Sequence, residues 1–374
     1  MFKWLIIFVS SLFHIFGIVH IVYAQEKEEK KENVFLHPQK FYAKYFPQIK
    51  IKYNPSDSAY IKTYPKRYMS VSMRLLSPTI YSGLHPTNAA HAASDFQTNV
   101  KTITGFSFSY RYVTAGFALS LLPPLGDPPD YANTRYRTAT IKYRSPVYML
   151  TFRFMKIRGM TDVNAFNSMD TNRINVNRPD ISVKEYEFEG IYNFSWKKYS
   201  YLSTIDYTES QIKSRIGFLL KAGIYNQQLY CDTNLLSVPQ RQHFEHFENI
   251  NKVVGYNIKV SPGIGGILVI KKRLYFSCAV FSPLNIYVNR LYSQEELIHK
   301  ETNFQWVMDG SASVGYQTNR FYAAFRVDID GRTATLQTFR YTSVYNYIGL
   351  DIGYRFNAPR VIKKFYKKTM PPGM

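Results

Sequence analysis

From about Lys66 to Phe356, apolar and polar residues alternate with a period of two through one short segment after another. Phe304, Trp306, Met308, Gly310, Ala312, Val314 and Tyr316 interleave with Gln305, Asp309, Ser311, Ser313 and Gln317. Phe321, Ala323, Phe325, Val327 and Ile329 interleave with Tyr322, Arg326, Asp328 and Asp330. Successive side chains of a strand point to opposite faces, so this period predicts strands with one apolar and one polar face. A soluble sandwich would press the apolar faces together. A membrane barrel would turn them to lipid and keep its charges inside.

The candidate strands are residues 68–77, 102–110, 112–121, 135–144, 147–157, 181–194, 199–208, 215–228, 252–270, 274–289, 304–317, 320–330 and 345–356. Tight joints at 111, 145–146, 195–198, 271–273 and 318–319 alternate with long connections at 76–100, 122–134, 158–180, 229–251, 290–303 and 331–344. A transmembrane antiparallel β-barrel, with short periplasmic turns and long outer loops, accounts for that alternation; a sandwich does not. An odd number of strands breaks it. Joining 199–208 to 215–228 as one strand, bent at Glu209-Ser210-Gln211-Ile212-Lys213-Ser214, restores it and gives about 12 strands with both ends in the periplasm.

The same parity sorts the faces. Met69, Val71, Met73 and Leu75, then Tyr148, Leu150, Phe152 and Phe154, are lipid-facing candidates, as are Tyr186, Phe188, Tyr192, Phe194, Ile348, Leu350, Ile352, Tyr354 and Phe356. Lumen candidates are Arg74, Lys142, Arg153, Glu185, Glu187, Glu189, Asp206, Lys259, Asp309, Arg326, Asp328, Asp351 and Arg355. This set is close to charge-balanced, which suits a lumen closed by salt bridges better than a selective ion path.

Composition agrees with a barrel. Aromatic residues make up 17% of the chain, including 32 Tyr and 27 Phe, as interfacial girdles require. A mean hydropathy of −0.26 is ordinary when half of each strand faces a polar interior. The formal charge of +21 must then sit in loops, turns and tail. Its expected partners are outer-membrane lipid and lipopolysaccharide phosphates, with no nucleic acid, because no zinc-finger, RNP or phosphate-loop motif is present.

Lys3, an apolar run over residues 4–22 and Val22-Tyr23-Ala24 predict a cleaved signal peptide at 1–24. An uncleaved anchor is the rival, and His14 and His20 interrupt it. A periplasmic leader at 25–66, the barrel at 67–357 and a basic periplasmic tail at 358–374 follow. In the tail, Lys363, Lys364, Lys367 and Lys368 flank Phe365 and Tyr366. With Lys197-Lys198 and Lys271-Lys272-Arg273 they make the periplasmic rim basic, either simply solvated or docked to an anionic periplasmic partner.

Chemistry is sparse. His37, His85, His91, His243, His246 and His299 all fall outside the expected strands, so no strand-borne Ser–His pair is expected. The His243–Glu248 loop has no zinc-ligand spacing, and no metal or cofactor is expected. Cys231 and Cys278 are placed at opposite membrane faces and read as free. The densest polar cluster on an expected strand is Glu209 to Ser214; with Glu185, Glu187, Arg326 and Asp328, its Glu209, Gln211 and Lys213 make up a candidate polar cluster in the lumen. It is either an inward-facing ligand site or, for its 209–214 part, a bend whose side chains satisfy their own backbone.

Three segments carry a family resemblance: Asp57-Ser58-Ala59-Tyr60-Ile61-Lys62, Arg178-Pro179-Asp180-Ile181-Ser182-Val183-Lys184, and Glu209 to Ser214 followed by Gly217-Phe218-Leu219-Leu220. In that order they resemble the uncharacterised domain-of-unknown-function family 4421, exported proteins of Bacteroidetes type. The resemblance covers residues 57–356 and departs at Ala59, where a hydroxyl residue is expected. It implies an outer-membrane barrel and supplies no catalytic residue. The resulting expectation is a non-enzymatic outer-membrane barrel, structural or taking up a narrow class of solute. The alternative is a membrane-embedded lipid- or lipopolysaccharide-modifying enzyme with its site in the outer loops.

Overall fold

The computed structural model describes residues 56–86, 93–120, 132–167, 170–244, 246–335 and 339–369. The expected signal peptide, its cleavage site and the leader before residue 56 lie outside them. The chain divides into two units: Tyr53–Ala358, and the chain ends, of which only the C-terminal helix is described.

The first unit is a ring of antiparallel strands. Its wall runs through β2 (Tyr68–Pro86), β4 (Ile103–Tyr110), β5 (Val113–Ser120), β6 (Arg135–Arg144), β7 (Tyr148–Asn167) and β8 (Asp170–Asn193). It continues with β10 (Arg215–Tyr230), β11 (Lys252–Ile270), β12 (Leu274–Phe281) extended by β13 (Leu284–Ser293), β14 (Glu296–Trp306) extended by β15 (Asp309–Gln317), β16 (Phe321–Thr335) and β17 (Phe339–Asn357). β12 and β13 lie end to end along β11, with Gly263 opposite Phe281 and Val260 opposite Leu284. Pro283 interrupts them because it has no N–H to donate. β17 closes the ring on β2, from Asn357 opposite Tyr68 to Phe339 opposite Pro86. The wall therefore has the expected 12 strands.

Outward faces are apolar: Phe152 is 46% exposed, while Arg153, its neighbour in sequence, turns inward to Glu185. Met73, Tyr186, Ile348, Leu350, Ile352 and Tyr354 are likewise exposed. Because a strand has no solvent side and core side other than its two faces, one register fixes both sets at once.

Three expectations are corrected. Residues 199–208 are not part of a bent wall strand. They run through helix α1 (Leu202–Ile205) to β9 (Glu209–Gln211), which pairs only with β1 (Ile61–Thr63). The segment leaves the wall between β8 and β10, so the strand count of 12 holds for a different reason from the one expected. Second, several long connections are largely strand. β2, β7, β8 and β17 extend well past their lipid-facing apolar stretches; there the outward face turns polar, while inward residues such as Ile80, Leu84, Met160 and Phe339 turn apolar. Third, that extension puts His85 on β2 and His299 on β14.

At the long-loop end β4, β5 and β6 stop early. β3 (Ser94–Gln97) closes the wall above them, with Asp95 opposite Gly83 of β2 and Phe96 opposite Asp162 of β7. A second helix, α2 (Val238–Arg241), lies on the connection from β10 to β11. The tail is a helix, α3 (Arg360–Thr369). Its spacing puts Val361, Ile362, Phe365 and Tyr366 on one side and Lys363 and Lys364 on the other.

Candidate functional site: a charged chamber between two seals

The inward-folded segment between β8 and β10 closes the short-turn end. Tyr199, Tyr201, Leu202, Ile205 and Tyr207 pack against Met149, Ile191, Leu219, Tyr275 and Tyr322, which face inward from the wall. Tyr207, at φ +55°, stacks on Tyr322 with ring centres 4.4 Å apart. Tyr199 lies against Gly217 of β10 and Gly265 of β11, where any Cβ would fall inside its ring. These two glycines, unhelpful to a strand in isolation, are landing sites for the ring.

Polar contacts fix the seal to opposite sides of the barrel. The Asp206 carboxylate accepts from Thr114 Oγ1 of β5 (3.0 Å), Lys142 Nζ of β6 (3.3 Å) and Arg144 Nη1 (2.8 Å). Burial raises the Asp206 pKa, but the two cations outweigh it and hold the carboxyl down to about 2. The Tyr207 hydroxyl donates to Asp351 of β17 at 3.0 Å, and Arg355 donates through Nε to the Tyr207 carbonyl at 3.1 Å. Gln317 of β15 donates to the Glu209 carbonyl.

The second seal is the connection after β10. Leu235, Leu236, Phe244, Phe247 and Ile250 join Ile80, Leu84, Phe96, Ile157, Ile181 and Phe339 in one apolar cluster at the long-loop end. Gln240, fully buried, ties it down: its Nε2 donates to the Ala93 carbonyl (3.0 Å), and its Oε1 accepts from the Ser94 and Ser237 hydroxyls at 2.8 and 2.6 Å.

Between the seals lies a cavity of about 280 Å³ lined mainly by charged and hydroxyl side chains. Arg74 meets Asp351 at 2.6 Å, and Arg326 meets Asp328 at 2.7 Å. Arg153 serves Glu185 and Glu187 together. Lys221 reaches across to Asp309 at 3.1 Å and also meets Glu189 at 3.7 Å. Lys259 pairs with the same Asp309. Acids and bases are intermixed around the wall, each cation paired with a carboxylate, so the chamber carries no field of one sign that would select cations or anions.

The seven site candidates are thus dispersed. Glu185 and Glu187 share Arg153, and Arg326 and Asp328 pair with each other in the chamber. Glu209 and Gln211 belong to the short-turn seal, where Ser200 donates to Glu209 through Oγ (2.5 Å) and to Gln211 through its backbone N–H (2.9 Å). Lys213 lies on the exposed rim, its Nζ 5.1 Å from the centre of the Tyr60 ring. Gln211 Nε2 donates to the backbone carbonyls of Lys198 and Lys213, the self-satisfying role considered for this stretch. Arg144 and Lys221 are absent from the expected lumen set, as is Asp330, although the alternation puts Asp330 on the polar face of its strand. Lys221 sits at the right parity in β10, but its apolar neighbours hide it.

Both cysteines are free: Cys278 faces outward on β12, and burial pushes the Cys231 thiol up to about 11. Near β3, the His85 Nε2 lies 2.6 Å from the Tyr81 hydroxyl and 3.3 Å from Asp95 Oδ1, and Asn164 bonds the other Asp95 oxygen. The expectation that no histidine stands on a strand concealed this group. His243 and His246 follow α2, and no set of metal-ligating side chains gathers among the described residues.

Among solved structures, the outer membrane protease OmpT of Escherichia coli matches at 8% identity and a TM-score of 0.33, covering 79% of this chain and 98% of that one. The translocator domain of the autotransporter NalP of Neisseria meningitidis matches at 11% identity and TM-score 0.32, over 78% and 90%. The β domain of the Bordetella autotransporter BrkA matches at 11% and 0.33, over 78% and 99%. At these scores the likeness carries no argument about activity. No curated protein matches the chain. The family model for the domain of unknown function DUF4421 matches residues 55–356, which span β1, both seals and every wall strand, and the chain belongs to that family.

Proposed function

We propose that the chain is an outer-membrane β-barrel held closed at both ends, structural in its resting state or admitting a narrow class of solute when a seal moves. The observation that carries this reading is the charge-paired chamber with an apolar cluster packed inside the barrel at each end. The belt of outward Phe, Tyr, Ile and Leu supports insertion into lipid. The reading includes export through a cleaved signal peptide: N-terminal sequencing of membrane-extracted protein should start at Gln25, and Met1 on most molecules would overturn cleavage.

Phe152→Arg tests insertion. An arginine on the lipid face near mid-bilayer costs about 2–4 kcal/mol, so this variant should fail to reach the heat-modifiable folded form on gels. Arg153→Phe should still insert, with a loosened chamber, because Glu185 and Glu187 lose their cation. Equal insertion of both variants would mean that the outer face does not meet lipid.

The second reading, an enzyme acting on lipid or lipopolysaccharide at the long-loop end, is favoured by the Tyr81–His85–Asp95 group. Labelled phospholipid and lipopolysaccharide, incubated with wild type and His85→Asn, decide it; turnover lost in the variant would establish the enzyme.

A further inference from the structure

We infer that the cavity at the short-turn end, between the β1 strap and the β4–β5 and β6–β7 turns, binds a phosphate group. This cavity, of about 350 Å³, is separate from the chamber and lies on the other side of the seal. It is a property of the fold and does not depend on the membrane reading.

Its lining is predominantly basic. Lys66, Arg111, Arg144 and Arg355 face it, against the single carboxyl of Glu209. Arg144 already shares Asp206 with Lys142, so two cations divide one negative charge. Arg355 is 2% exposed and meets no carboxylate among the described residues. Its guanidinium donates to the carbonyls of Tyr207 and Thr318 and lies over the rings of Tyr64 (3.9 Å) and Tyr322 (4.7 Å). Burial raises the Glu209 pKa, which weakens the one counter-charge the cavity has. A buried cation without an acid is costly, and a bound anion removes that cost.

The neutral groups point the same way. Ser56 Oγ and Thr208 Oγ1 line the cavity as buried hydroxyls without a partner among the described residues. Guanidinium, ammonium and hydroxyl donors converging on one space match the several acceptor oxygens of phosphate. The end of the barrel that holds the cavity is basic beyond its lining: Lys198, Lys213 and Arg215 gather within 5.1–5.7 Å of the ring centre of Tyr60, the residue before β1. Cations on this end raise the local concentration of anions.

The test uses the full-length protein in detergent, titrated calorimetrically with inorganic phosphate and glycerol 3-phosphate. Lys66→Gln/Arg111→Gln should weaken binding ~tenfold or more, because charge-assisted bonds are lost. Lys271→Gln/Lys272→Gln removes the same charge elsewhere on the rim and should change binding less than ~twofold. Both variants must keep heat-modifiable mobility; if the first does not, Lys66→Gln alone, at an exposed position, replaces it. Exchange into nanodiscs containing phosphatidic acid, followed by native mass spectrometry, identifies the source. Retained lipid lost in the Lys66/Arg111 variant supports a headgroup, and soluble phosphate binding alone supports a free phosphate compound. No binding by any probe, or equal weakening by both variants, overturns the inference.

Discussion

Removing both seals together should turn a non-conducting barrel into an open pore, whereas removing either one alone should not. The two closures stand in series. Residues 199–211 fill the short-turn end with Tyr199, Leu202, Ile205 and Tyr207, and residues 232–249 fill the long-loop end with Leu235, Phe244 and Phe247. An ion crossing the barrel must pass both, so the tighter one sets the current. The wall itself is no obstacle: a 12-stranded ring is wider than the ~8-stranded barrels that side chains fill unaided. Planar-bilayer recordings should therefore show little steady current for wild type and for each single replacement by a Gly-Ser linker, and large current for the double replacement. Large, stable wild-type conductance would reject the sealed reading. Chamber charges play another part. A Glu185→Ala, Glu187→Ala, Arg326→Ala variant empties the space between the seals without touching either, so it should destabilise the barrel without opening it.

How much of this was legible in the sequence depends on the face a residue occupies. The period of two placed Phe152 outside and Arg153 inside, and it paired Arg74 and Asp351 with the lumen, because a wall strand has only two faces and lipid accepts one of them. The strand count followed from alternating turn lengths. The seals were hidden for a specific reason. Tyr199, Tyr201, Ile205 and Tyr207 alternate with polar residues, as wall residues do, and a segment buried against a barrel's inner wall needs the same mixture as one facing lipid. Only Tyr207 at positive φ and the short helix before it break the pattern, and neither shows in composition. The second seal lies in the 229–251 connection, which the turn-length alternation makes an outer loop, and its buried anchor Gln240 is a residue type that usually marks solvent. The strand extensions lie beyond the apolar belt, where the outward face turns polar and the inward face apolar, the reverse of the pattern below, and with them goes the placement of His85 beside Tyr81 and Asp95. Long-range partners such as Lys221 with Asp309 depend on ring closure, which no local pattern encodes.

Asp206 is where the short-turn seal should prove most sensitive to substitution and to acid. Asp206→Ala leaves Lys142 and Arg144 buried without their shared carboxylate. Breaking a buried pair from one side typically costs about 3–5 kcal/mol. The pH dependence has a definite sign. The folded carboxyl is held down to about 2, whereas an unfolded aspartate titrates near ~3.9. Its contribution is therefore complete above ~3.9, fades as the pH falls through the window down to about 2, and is gone below it. The size of that contribution is about 2–3 kcal/mol. Asp206→Asn keeps the shape and loses the charge, so it should unfold in urea at a lower midpoint than wild type at pH 7. The gap should narrow steadily below pH ~4 and nearly vanish near pH ~2, where the wild-type carboxyl also becomes neutral. A gap that stays constant over that range would mean that Asp206 holds the seal through its hydrogen-bonding shape, not through its charge on Lys142 and Arg144.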